Sequence, residues 1–91
     1  MANVIITLRI MPSEADSDLS IIDGEVKRRV NNFSGNTSVR TELEPIAFGL
    51  KAIKVMFTVD ENKSLESLEN NIMKISDIAS VKAIDVRRAI G

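Results

Sequence analysis

The stretch Glu44-Pro45-Ile46-Ala47-Phe48-Gly49-Leu50-Lys51 stands near the middle of the 91-residue chain and separates two halves of similar pattern. Pro45 has no backbone N–H and Gly49 tolerates positive φ, so the stretch is typical of a turn that leaves one strand and enters the next. Phe48, one of three phenylalanines in the chain, stands on this turn. Two interpretations are open: Phe48 folds back and caps the end of the sheet, or Phe48 contacts a partner protein.

The half before the turn has the pattern of a strand, a helix and a second strand. Pro12 ends the first strand, and residues 16–18 offer N-caps for the helix. Residues 27–29 are basic and are expected near the helix C-terminus, and residues 31–36 are expected to form a loop. The apolar or alternating positions that predict these elements are Val4, Ile6, Leu8 and Ile10, then Leu19, Ile22, Val26 and Val30, then Val39, Thr41 and Leu43.

The half after the turn repeats this order. Residues 60–63 form a turn, Ser64 caps the second helix, and Ser76 and Asp77 end it. A fourth strand completes the chain. The apolar positions that predict these elements are Ile53, Val55, Phe57 and Val59 of the third strand, Leu65, Leu68, Ile72 and Ile75 of the second helix, and Val81, Ile84, Val86 and Ile90 of the fourth strand.

The order β-α-β-β-α-β predicts an α+β fold of the ferredoxin-like type, formed by residues 1–91 as one domain. In this arrangement the four-stranded sheet is antiparallel, strands one and three are central, and both helices cover one face. The apolar positions of the strands then face the helices. The residues expected on the other, solvent-exposed face are Thr7, Arg9, Lys54, Thr58, Asp85 and Arg87.

Composition excludes several kinds of chemistry. The chain has no cysteine and no histidine, which removes disulfides, thiol and imidazole catalysis, and zinc sites built from these residues. No phosphate-binding loop motif is present, and the acidic pairs Asp16/Asp18 and Asp60/Glu61 are more typical of helix and turn termini than of a metal site. We therefore expect no enzyme activity, no metal and no cofactor. The sequence also favours a cytoplasmic location without a membrane span.

Two features are suited to binding. The first is the turn that carries Phe48, and the second is the pair Arg87-Arg88 near the C-terminus. From the residues alone a solvated strand end is the favoured interpretation of the arginines, with Arg87 paired to Asp85 or lying across from Arg9. A net charge of −1 and an open sheet face without aromatic residues disfavour a nucleic-acid partner.

Four stretches carry a resemblance to a known family: residues 44–51, residues 11–12, residues 16–19 and residues 80–88. Residues 45–50 match the turn Pro-[Ile/Val]-[Ala/Gly]-[Phe/Tyr]-Gly-[Leu/Ile]. With these stretches the chain resembles the archaeal elongation factor 1-beta family over nearly its whole length. The resemblance implies an exchange factor that promotes GDP release and GTP reloading of the translation GTPase elongation factor 1-alpha, without itself binding nucleotide.

The resemblance also implies roles for individual residues. Phe48 becomes the anchor that enters a pocket of the GTPase, while Ile46, Ala47 and Gly49 shape the turn. Eukaryotic relatives place a lysine, next to last in the chain, at the magnesium site of the GTPase. Gly91 stands at the matching position here, so Arg87 or Arg88 is the candidate for the cation that promotes exchange.

Two other classes of protein share this fold. One is a regulatory module that binds a small ligand and assembles through exposed sheet edges. The other is a hydrolase similar to acylphosphatase, for which the chain lacks a Gly-rich loop that would hold an anion beside an arginine.

Overall fold

The computed structural model describes residues 3–35 and 38–88 and has the predicted α+β order. Two β-α-β units follow one another, and the turn at residues 46–50 joins them. The elements are β1 (Asn3–Pro12), α1 (Leu19–Ser34), β2 (Arg40–Pro45), β3 (Lys51–Asp60), α2 (Leu65–Ile72) and β4 (Ile78–Arg88).

The sheet has the strand order β2-β3-β1-β4, and every neighbouring pair is antiparallel. Strands β1 and β3 are therefore central, which confirms the ferredoxin-like arrangement. The core lies between one face of the sheet and the two helices. Its buried side chains are Ile6, Leu8, Ile10, Ile22, Val26, Val30, Ile53, Val55, Phe57, Val59, Leu68, Ile72, Ile75 and Ile78.

Helix α1 begins after Asp18, whose Oδ1 accepts hydrogen bonds from the backbone N–H groups of Ser20 and Ile21 and from the Ser20 hydroxyl. These bonds favour the ionised carboxylate, so they lower the pKa of Asp18 from its usual value of 3.8, with the Ser20 hydroxyl as the largest cause. The hydrogen bonds also satisfy N–H groups that the first turn of a helix leaves without partners.

The C-terminus of α1 corrects the predicted loop at residues 31–36. Residues 31–34 are helical, and the helix ends at Gly35, which has φ 81° and donates its N–H to the Asn31 carbonyl at 3.0 Å. Phe33 packs against the core and extends the apolar stripe by one turn, which stabilises the helix through its last residues. Residue 36 lies outside the described residues. The basic residues 27–29 consequently lie within the helix and not near its C-terminus.

Helix α2 is shorter than predicted. Ser64 caps it, but the helix ends at Ile72, so Ser76 and Asp77 follow it at a distance. Ile75 is buried although it lies beyond the helix. The C-terminal end of α2 is held by α1, because Arg29 Nη1 donates to the Asn71 backbone carbonyl at 2.9 Å and to Asn71 Oδ1 at 2.6 Å.

Strand β4 corrects the predicted pattern of apolar positions. Its register with β1 shifts between Thr7 and Leu8, where the partners are Asp85 and Ala83, so Ile84 is the extra residue of a β-bulge. Val81 and Ala83 pack against the core, whereas Ile84 does not follow the core-facing positions. Val86 lies across from the buried Ile6 but is 56% exposed. Residue 90 lies outside the described residues.

Two other side chains differ from their predicted environments. Leu43, expected to face the helices, is 54% exposed because β2 is a short strand at the edge of the sheet. Thr7, expected on the solvent-exposed face, is buried in the central strand between its neighbours Met56 and Asp85.

Candidate docking site for a partner protein

The turn between β2 and β3 is a tight β-hairpin connection. The Ile46 N–H donates to the Leu50 carbonyl, and the Leu50 N–H donates to the Ala47 carbonyl, both at 2.9 Å. Phe48 and Gly49, the two central residues of the inner turn, have φ angles of 54° and 78°. Positive φ at both central positions defines a type I′ turn, which matches the twist of the flanking strands.

Phe48 is 97% exposed, so the interpretation that its ring caps the sheet is wrong. A type I′ turn favours Asn, Asp or Gly at this position, and a bulky side chain with positive φ is an outlier. Strained backbone of this kind costs about 1–3 kcal/mol and is concentrated at functional sites. Neither packing nor turn chemistry therefore accounts for a phenylalanine here.

The surroundings of the turn are also partly apolar. Ile46 is 45% exposed, and Leu43 on the same hairpin adds a third exposed apolar side chain. Sequence reasoning placed Leu43 in the core; the short, polar strand that carries it is the signal that would have indicated an edge position. On the other side of the turn, a Cβ built on Gly49 would lie 3.8 Å from the Ala15 Cβ, so the turn touches the loop between β1 and α1.

The two arginines lie at the other end of the sheet. Arg87 pairs in register with Ile5 and Arg88 with Val4, near the start of β1. Arg87 Nε lies 2.9 Å from Asp85 Oδ2, which confirms one of its expected partners, and Arg88 Nη2 lies 3.1 Å from Glu61 Oε2. Because they are adjacent on a strand, the two side chains point to opposite faces of the sheet: Arg87 to the face away from the helices, Arg88 to the helix side.

Arg9 is not the cross-strand neighbour of Arg87. Its neighbour on β4 is Lys82, and its Nε donates to Glu44 Oε1 at 3.1 Å. The structure thus brings Ile46, Ala47, Phe48 and Gly49 together in one turn but holds them away from Arg87 and Arg88. Strand β3, ten residues long, separates the two ends, which corresponds to about 30 Å at 3.3 Å per residue.

Other kinds of site are weakly supported in the described ranges. Within residues 3–35 and 38–88, no group of three or more acidic residues is arranged to hold a metal ion. A groove of about 350 Å³ runs between the helices and is lined by residues that include Arg29, Phe33 and Asn71. It is one of the grooves that the regulatory-module hypothesis offers a small ligand, and it lies away from the turn. None of the described helices is long and apolar enough to cross a membrane.

The fold and the exposed turn define a small ferredoxin-like α+β protein with an unpacked aromatic residue at one end of its sheet. Residues 5–89 match the family model of the EF-1 guanine nucleotide exchange domain, and the chain belongs to that family. It is 34% identical to elongation factor 1-beta of Methanothermobacter thermautotrophicus, with 97% of this chain and 98% of the relative aligned. It is 38% identical to elongation factor 1-beta of Methanocella arvoryzae over 98% of this chain and 99% of the relative.

A similar solved structure agrees with the fold alone. The de novo designed protein Foldit4 superposes with a TM-score of 0.63 over 98% of both chains, at 17% sequence identity. Family membership, in contrast, supports a guanine nucleotide exchange role in translation. A domain with that role implies a GTPase as its partner.

Proposed function

We propose that this chain promotes GDP release and GTP reloading of the translation GTPase elongation factor 1-alpha, with Phe48 as the anchor of the complex. The observation that carries this proposal is the combination of 97% exposure and positive φ at Phe48. A large ring held in solvent on a strained turn has no role within the described residues. An aromatic residue in such a position is suited to fill a pocket on another protein.

The presentation of the ring favours binding energetically. Both hydrogen bonds across the turn and the two flanking strands hold Phe48 in place, so little backbone freedom is lost when a partner binds. A buried phenylalanine also removes about 150–250 Å² of surface from water. Ile46, Ala47 and Gly49 form the rest of the contact, and Gly49 permits the positive φ that the second central position requires.

Exchange then follows from linkage between two binding events. If the chain binds the nucleotide-free GTPase more tightly than the GDP-bound form, GDP must bind the complex more weakly by the same factor. The chain contributes no covalent step to this process and acts as a binding protein, not as an enzyme. It also has no need to bind GDP or GTP itself, because the weakened site belongs to the GTPase.

Arg87 and Arg88 are the candidates for the cation that assists exchange, and they lie in different environments. Both form ion pairs, but the two point to opposite faces of the sheet, so one flat partner surface would meet only one of them. Gly91, which stands where eukaryotic relatives have a lysine, lies outside the described residues.

The direct experiment is a stopped-flow measurement of fluorescent GDP dissociating from the archaeal elongation factor 1-alpha. We expect dissociation to accelerate with increasing concentration of the chain and to saturate as the complex forms. An unchanged rate in a large excess of folded chain contradicts the proposal.

Isothermal titration calorimetry of the isolated chain with GDP and with GTP tests whether the chain itself binds nucleotide. We expect no heat of binding at micromolar nucleotide. The small-ligand hypothesis predicts the reverse result, because a regulatory module would bind a small ligand but would form no complex with the GTPase.

A further inference from the structure

The sheet face away from the helices carries a row of charged residues in direct cross-strand register. Glu42 of β2 pairs with Lys54 of β3, Lys54 with Arg9 of β1, and Arg9 with Lys82 of β4. We call Lys54, Arg9 and Lys82 the cation row. Three adjacent cations on neighbouring strands are unfavourable, because like charges directly opposite each other repel.

Two acidic residues, Glu42 opposite Lys54 and Glu44 beside it, compensate only part of this row. Glu44 accepts a hydrogen bond from Arg9 Nε at 3.1 Å and lies 3.8 Å from Lys54 Nζ. Lys82 is exposed and has no ion-pair partner among residues 3–35 and 38–88. The row therefore leaves a positive charge on the open face beside Arg9, and this charge is available to a carboxylate from outside the chain.

The cation row lies between the turn that carries Phe48 and the end of the sheet that carries Arg87. Phe48 stands at one end of the sheet, and Arg87 points to the open face at the other end. A partner that lies on the open face would meet Arg87, the cation row and, at the end of the sheet, the turn that carries Phe48. Four strands about 4.8 Å apart and up to about 30 Å long present roughly 500 Å², which together with the turn approaches the roughly 800 Å² per partner of a stable complex.

We propose that the open sheet face is the surface that the GTPase covers, and that acidic side chains of the GTPase lie against the cation row. This inference rests on the proposed function and assigns Lys82 as an interface residue. A protein surface fits better than RNA, because the described part of the face has no aromatic residue for base stacking. It also mixes its cations with Glu42, Glu44 and Asp85, which a phosphate backbone would not favour.

The first test compares two charge reversals, Lys82→Glu and Lys74→Glu. Both lysines are exposed and lack an ion-pair partner among the described residues, but Lys74 lies on the helix side, near Ile22 and Ile75. We expect Lys82→Glu to weaken the complex with the GTPase by about tenfold or more and Lys74→Glu to change it by less than about twofold. Equal effects of the two substitutions would overturn the inference.

Stability provides an internal control for this comparison. In Lys82→Glu the new carboxylate faces Arg9 across the strands, so the denaturant midpoint should stay constant or rise while binding falls. A loss of binding that follows a loss of folded protein would argue against an interface role. Wild-type chain that fails to accelerate GDP release would reject the proposed function, whereas normal exchange by Lys82→Glu would reject only the present inference.

The second test uses the absence of cysteine from the chain. A single cysteine at position 82 or at position 74, labelled with a bulky maleimide before mixing, places a steric obstacle on one face only. We expect the label at position 82 to prevent complex formation and the label at position 74 to permit it. If instead Lys82→Glu leaves the GTPase complex intact and abolishes binding of a single-stranded RNA, the face serves nucleic acid and the inference is wrong.

Discussion

Ile21 and Ile22 are neighbours in α1, yet Ile21 is 63% exposed while Ile22 is 3% exposed. The helix turns by 100° per residue, which places one side chain in solvent and the next against the sheet. The pair therefore offers a matched comparison of the same side chain in two environments.

We expect Ile22→Ala to lower the free energy of unfolding by about 2–5 kcal/mol, because it removes apolar contacts and leaves a cavity. Ile72→Ala in α2 should have an effect of the same size, since Ile72 is completely buried. Ile21→Ala should change stability by less than about 0.5 kcal/mol. Urea denaturation followed by circular dichroism measures all three, and similar midpoints for the variants at positions 21 and 22 would contradict the assigned helix face.

Phe48→Ala separates a binding role from a packing role. The exposed ring makes no contribution to the core, so the denaturant midpoint should change little. Binding to the GTPase should weaken by about 2 kcal/mol or more, roughly 30-fold in the dissociation constant, as for other truncated aromatic anchors. A variant that is folded and accelerates GDP release as fast as the wild type would remove Phe48 from the site.

Phe48→Asn tests whether the turn is strained. Asparagine tolerates the left-handed conformation, and Asn-Gly is a preferred pair in type I′ turns, so we expect the free energy of unfolding to rise by about 1 kcal/mol. The same substitution should weaken the GTPase complex as strongly as Phe48→Ala does. Thermal unfolding and the GDP-release assay on one preparation provide both values; a drop in melting temperature would show that the φ angle at this position is not a source of strain.

Arg87→Ala and Arg88→Ala should differ from each other. Arg87 points to the open face, so its removal should slow GDP release more than the removal of Arg88, which is bound to Glu61 on the helix side. A cation that acts at the magnesium site should affect the rate of GDP release more than it affects formation of the complex. If only the association rate and its salt dependence change, the arginine lies at the rim of the interface.

Asp18 gives α1 a stability that depends on pH. Its pKa is lowered in the folded state by the Ser20 hydroxyl and the Ile21 N–H, so its contribution is present above its usual value of 3.8 and is lost as the pH falls through the lower folded value. Asp18→Asn retains a capping oxygen but cannot titrate. The stability difference between wild type and Asp18→Asn should therefore shrink as the pH falls below about 4, measured by urea denaturation from pH 7 to pH 2. A constant difference over that range would show that folding does not lower the pKa of Asp18.

Periodicity alone was sufficient to predict the order of elements and the core-facing positions of β1, β3 and α1. The N-caps of both helices were predicted, but the C-terminal ends were not; at the end of α1, Asn31 and Asn32 have low helix propensity while tertiary packing of Phe33 overrides it. The sequence does contain a signal for the bulge at Ile84. Val81 and Val86 are an odd number of positions apart, so in a regular strand they would point to opposite faces, yet they share a face here.

The candidate site was predicted less completely. The turn was predicted from Pro45 and Gly49. The exposure of Phe48 was not, because it depends on which other parts of the folded chain pack near the turn. The cation row was not predicted, because it depends on the register of three strands. Arg9 and Lys54 were assigned correctly to the open face, yet their alignment with Lys82 follows only from the pairing on both sides of β1.

The irregular register of β4 also affects how copies of this protein behave toward one another. Strand β4 is at an edge of the sheet, and its pairing with β1 is interrupted at Ile84 and again at Ala79. An edge with displaced N–H and C=O groups is a poor template for an incoming strand, and Lys82 and Arg87 add repulsion between identical edges. The bulges thus protect the chain from edge-to-edge aggregation while the adjoining face of the sheet stays available.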